Sequence, residues 1–133
     1  MSKFILVSGK VVDIPLATIE QALHLYQVIA SECKHANLDL KIEDDTTVWQ
    51  LLDKNTEALL NIVSSSTVLE AINDCSAKVL YDKQHFSIQL FDKEDYRGDF
   101  FSVLELIALE NLRPFFPVYH MVFDVISSRL LKN

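Results

Sequence analysis

Four histidines and two cysteines are the residues of this 133-residue chain best suited to chemistry. Glu20 and His24 stand four apart, and so do His120 and Asp124. If the two segments met as helices, the pairs would share a cation. Zinc sites usually carry tighter spacings such as HExxH or paired CxxC, and neither is present. An acid and a histidine at i,i+4 more often make a surface contact on one helix face. Nucleophilic catalysis needs Ser or Cys beside His and an orienting carboxylate. Cys33 and His35 are two apart, which sends them to different sides of a helix. Ser64, Ser65 and Ser66 lack the glycine elbow of GxSxG. Two glycines in the whole chain cannot build GxGxxG or GxxxxGK[ST]. Nothing selects any two carboxylates as a hydrolytic pair. The expectation is a protein that is not an enzyme, with no metal and no cofactor.

The length suits a single domain over 1–133. Half the residues are hydrophobic and 23% are charged, enough apolar material for a core. Twelve Lys and Arg face nineteen Asp and Glu, a formal charge of -7. The basic residues are scattered, so neither nucleic acid nor an anionic membrane finds a patch. The longest nearly uncharged stretch, Pro114 to Phe123, falls far short of the ~20 residues that span a bilayer. The start, MSKFILVSGK, does not read as a signal peptide, because its apolar run is cut by Ser8-Gly9. Cys33 and Cys75 read as buried free thiols, which suits a reducing cytoplasm. Acidic residues bunch at Glu43-Asp44-Asp45 and at Asp92, Glu94, Asp95 and Asp99. These are either solvated loops and helix starts or a docking surface for a basic partner.

The elements that must position these side chains follow from periodicity. Phe4–Val7 and Val11–Ile14 flank Ser8-Gly9-Lys10 and predict an N-terminal β-hairpin. Thr18–Gln21 is a capping-box sequence. Behind it Ile19, Ala22, Leu23, Tyr26, Ile29, Ala30 and Cys33 recur at helical steps to His35. Leu38, Leu40 and Ile42 alternate as in a short strand. Thr47–Gln50 offers a second capping box, and 47–64 form one helix or two, with Trp49 partly exposed. Thr67–Glu70 is a third box, opening a short helix over Leu69, Ile72 and Cys75. Lys78–Tyr81 and Phe86–Phe91, around Asp82-Lys83-Gln84, predict a second β-hairpin. Asp99 caps a helix to Leu112 that turns Phe100, Val103, Leu104 and Ile107 inward, with Phe101 as a further candidate for that face. Pro114 ends it, and a last helix runs from Phe115 to Leu131. The fold class is α+β, mostly helical.

Phe100-Phe101, Phe115-Phe116, Tyr119 and Phe123 concentrate in the C-terminal third. Adjacent aromatics on a helix point about 100° apart, so one neighbour cannot bury them all. Either several neighbours share them in one core, or some form an exposed apolar binding patch. The expected protein-binding residues are Phe115, Phe116, Tyr119 and Phe123, with Arg113 at the flank.

Val103-Leu-Glu-Leu-Ile-Ala-Leu-Glu-Asn-Leu-Arg-Pro-Phe-Phe116 resembles the "helix, then acidic-x-Asn-x-x-Phe-Phe" segment of tail assembly chaperones of long-tailed bacteriophages. Val7-Ser-Gly-Lys-Val-Val-Asp-Ile-Pro15 is similar to their opening hairpin and Asp-Ile-Pro-like segment. Asn55-Thr-Glu-Ala-Leu-Leu-Asn-Ile-Val63 resembles their middle helix. Together these cover about a third of the chain, and the hairpin over Lys78–Phe91 departs from the mostly helical family pattern. The resemblance implies a non-enzymatic phage protein that holds the tape-measure protein, helps recruit tail-tube subunits and is absent from the finished virion. It would act in the host cytoplasm, with self-association as a further option. A different class is an acidic inhibitor or adaptor that blocks a basic, nucleic-acid-binding host protein.

Overall fold

The first strands pair where the sequence alternates. In the computed structural model, which describes residues 2–35, 56–117 and 120–132, β1 (Ser2–Ile5) and β2 (Val11–Ile14) form an antiparallel hairpin. Phe4 lies opposite Val12 and Ser2 opposite Ile14. Gly9 takes φ 93° in the turn, a conformation that favours glycine. Pro15 closes β2, and α1 (Ile19–His35) starts on a reciprocal capping box. The Gln21 N–H donates to Thr18 Oγ1 at 3.2 Å, and the Thr18 N–H donates to Gln21 Oε1 at 3.1 Å.

Two short helices follow, α2 (Thr56–Val63) and α3 (Ser66–Asp74). The Thr67–Glu70 box is not used: α3 begins two residues earlier, with Ser65 at the cap position, and Thr67 Oγ1 donates to Glu32 Oε1 at 3.4 Å. The expected strand at 38–42, the capping box at 47–50 and Trp49 lie outside the described residues.

The second hairpin forms, but shorter than its alternation suggests. β3 (Leu80–Tyr81) and β4 (Gln84–His85) are joined by Asp82 and Lys83 at φ 50° and 66°. Positive φ at both central residues belongs to the tight two-residue turn that matches strand twist. The sheet is antiparallel in the order β1-β2-β3-β4. Phe86–Phe91 is not a strand. A 3₁₀ turn over Ile88–Asp92 swings Phe91 back beside Phe86, ring centroids 5.7 Å apart, so that both are buried while Ile88 faces solvent.

After α4 (Glu94–Arg97), α5 (Phe100–Leu112) is the axis of the molecule. Every residue from Val103 to Leu112 is buried, because α1, α2, α3, α6 and β2 all pack around it. Phe101, in the first turn, faces outward instead of joining the inward set. Pro114 diverts the chain into a 3₁₀ turn over Arg113–Phe115. The last helix, α6, spans His120–Ser128, shorter than the 115–131 expected. The chain turns at Arg129–Leu130, and Leu131 bridges back to Leu6. The architecture is α+β and mostly helical, one sheet face closed by helices around α5.

Candidate protein-binding surface

Helix α1 carries more apolar surface than the core takes. Ala22, Leu25, Ile29 and Cys33 make the buried stripe. Ile19, Leu23, Tyr26 and Ala30 form a second stripe about 90° round the helix. Ile19 is 67% exposed and Leu23 39%, while Tyr26 and Ala30 are half-buried. The inward face predicted from sequence merged the two stripes, because a helix with so wide an apolar arc fits either reading. Leu25 was missed as its centre.

The linker Pro15–Thr18 extends this uncovered stripe. Asn111, buried on α5, fixes it: Asn111 Oδ1 accepts the Ala17 N–H at 2.9 Å, and Nδ2 donates to the Ile107 carbonyl at 2.8 Å. Leu16 is thereby held 57% exposed at the lip of a groove of about 200 Å³. Ile19, Ala22, Pro114 and Phe115 line its walls. Tyr26 packs beside Phe115, the ring centroids 6.1 Å apart. Ile19 and Leu23 could have been found from the surplus of apolar positions on α1. The groove itself depends on the Asn111 bond across 94 residues.

The expected binding residues divide. Phe115 lies half-buried in the groove wall, as a surface role requires. Phe116 and Phe123 do not form a surface patch: they are 1% and 0% exposed and stack at 5.8 Å in the core. The 3₁₀ turn after Pro114 rotates Phe116 inward, and α6 brings Phe123 over it. Arg113 is half-buried and ties α5 to α6 through Glu110, at 3.5 Å, and Asp124. It acts as a structural bolt beside the groove. Tyr119 lies outside the described residues. Met121, 78% exposed on α6, was not foreseen.

The other chemistry-bearing residues serve the fold or face water. Glu20, His24, His120 and Asp124 are all exposed on their helices. Among the described residues, no three His, Cys, Asp or Glu side chains gather as metal ligands. Cys33 and Cys75 are buried free thiols, each pushed up to about 11 by burial first and then by a neighbouring acid, which suppresses the nucleophilic thiolate. Cys75 lines a second cleft of about 260 Å³ with Gln21 and Lys78, on the other side of Leu16–Ala17. Asp99 leaves the acidic cluster to become a buried hub. Its Oδ2 accepts hydrogen bonds from Tyr81 Oη and Ser8 Oγ, both at 2.6 Å, joining both hairpins to the start of α5. Asp92, Glu94 and Asp95 stay exposed, with Lys93 and Arg97 among them. Glu105 is buried on α5, and burial raises its carboxyl to about 7 against the attraction of Arg129. No helix among the described residues is long and apolar enough to cross a membrane.

Comparison with protein-family models, with curated proteins and with solved structures found no match.

Proposed function

We propose that this chain is a non-enzymatic, chaperone-like protein that binds an amphipathic helix of a partner protein. One observation carries the reading: Ile19, Leu23 and Tyr26, with Leu16 and Phe115, make a continuous apolar strip beside a groove. Anchors at i, i+4 and i+7 spacing on one wall suit a helix laid alongside. The strip replaces Phe116 and Phe123 as the working surface and keeps Phe115. The resemblance to phage tail assembly chaperones supports a tape-measure helix as the partner, with tail-tube subunits recruited afterwards in the host cytoplasm. Covering such a helix reversibly would keep its apolar face from aggregating.

Calorimetric titration with a synthetic amphipathic helical peptide tests the reading. Ile19→Ser and Leu23→Ser are each expected to weaken binding about tenfold, the worth of one lost apolar anchor, without lowering Tm. Binding should persist at high salt. Affinity unchanged from the parent in both variants would remove the strip from the mechanism. Collapse of binding between roughly 50 and 300 mM salt would point to the acidic-inhibitor reading, since screening shortens the field to under about 10 Å. A tape-measure gene immediately downstream would support the phage assignment.

A further inference from the structure

Asn111 has hydrogen-bonding capacity that the fold does not spend. A side-chain amide carries two N–H donors and an oxygen with two lone pairs. Among the described residues, Asn111 uses one of each: Oδ1 accepts the Ala17 N–H, and Nδ2 donates to the Ile107 carbonyl. Asn111 is 2% exposed, and it lines the groove together with Leu16, Ile19, Ala22, Pro114 and Phe115. The groove is thus the open space beside the remaining N–H and lone pair, and every other side chain named in its wall is apolar. Its size sets the other half of the match. A cavity of roughly 150 Å³ holds a benzene ring, and this groove measures about 200 Å³. That admits one aromatic side chain. Phe115 supplies an aromatic wall, and its ring already meets that of Tyr26, so an entering ring joins an existing cluster.

We propose that the groove seats one tyrosine side chain of the partner helix, its hydroxyl hydrogen-bonded to the Asn111 amide. A leucine or a phenylalanine would fill the space but shut the unspent amide groups away from water with no partner, which costs affinity. A phenol avoids that cost, because its hydroxyl both donates and accepts. The inference rests on the strip reading and deepens it. The strip carries the helix, and the groove selects the residue that the helix presents beside Leu16 and Phe115.

The test uses the full chain and three amphipathic helical peptides that differ at a single anchor position, occupied by tyrosine, phenylalanine or leucine. The tyrosine peptide should bind at least tenfold tighter than either of the others. In the isotope-labelled parent chain, the side-chain amide signals of Asn111 should shift with the tyrosine peptide and stay near their free positions with the phenylalanine peptide. Neither readout needs a variant at Asn111 to fold. Equal affinity for the tyrosine and phenylalanine peptides, tightest binding of the leucine peptide, or Asn111 signals unmoved by the tyrosine peptide would overturn the proposal. So would a lack of binding by all three. Leu23 stands on the strip outside the groove wall, so Leu23→Ser separates the two readings. A tenfold loss in that variant, with no preference for tyrosine over phenylalanine in the parent, removes the tyrosine seat and leaves the strip. Full affinity of Leu23→Ser for the tyrosine peptide removes the strip, and with it the helix as carrier of the tyrosine.

Discussion

Asn111 on α5 holds Ala17, 94 residues away, by accepting its N–H at 2.9 Å. The same side chain is fixed by donating to the Ile107 carbonyl, one turn earlier on α5. Asn111→Ala should destabilise the chain by roughly 2–3 kcal/mol, because it strands a part-buried N–H and leaves a cavity. Denaturant unfolding measures the cost. The groove should also lose definition, seen as faster hydrogen exchange at Ala17.

Phe116 and Ile19 separate core from surface. Phe116→Ala should cost about 3–5 kcal/mol, the range for a fully buried aromatic, and lower Tm accordingly. Ile19→Ser, at an exposed position, should stay within about 0.5 kcal/mol. If the two variants melt alike, the core assignment of Phe116 fails.

Glu105 makes stability depend on pH. Its carboxyl titrates near 7 in the folded chain instead of the ordinary 4.5. The folded state therefore holds a proton that the unfolded state releases. Stability from this group is complete below about pH 4.5 and is lost as pH rises to 7. At about 1.4 kcal/mol per unit, the loss approaches roughly 3 kcal/mol. Glu105→Gln should flatten the urea midpoint between pH 5 and 7.5 and raise it at pH 8. An unchanged slope would show that Glu105 is already ionised below pH 5.

Tyr81 should resist alkali. Its phenol is raised above the ordinary value by burial first and by its hydrogen bond to Asp99. In ultraviolet titration, Tyr81 should ionise only as the chain unfolds. Because the unfolded phenol ionises near 10, stability should fall above that pH. Tyr81→Phe should reduce the effect and cost about 1–2 kcal/mol for the lost bond to the carboxylate.

Local signals carried much of the fold. The Gly9 turn, the Thr18 capping box and the break at Pro114 are short-range chemistry that any neighbourhood would honour. The second hairpin was legible as a pair of strands but not in its length, because Phe86 and Phe91 obey a tertiary demand that alternation does not encode. Asp99 was read as a helix cap. It stands at the N-cap position, but its side chain accepts no backbone N–H there, because two hydroxyls from distant turns donate to its carboxylate. The site was half legible: Phe115 belongs to it, whereas Phe116 and Phe123 do not. Which aromatics face water depends on how α5, α6 and the Pro114 turn rotate against one another, and adjacent aromatic letters hold no record of that rotation.

The burial of α5 on every side has a consequence for synthesis. A ribosome must make about a hundred residues before the element around which everything else condenses begins to emerge. Until then α1 can pack only against α2 and α3, and the faces that these helices and β2 turn toward α5 are open to the solution. The growing chain thus carries an uncovered apolar surface until its central helix is made, the condition in which incomplete chains aggregate.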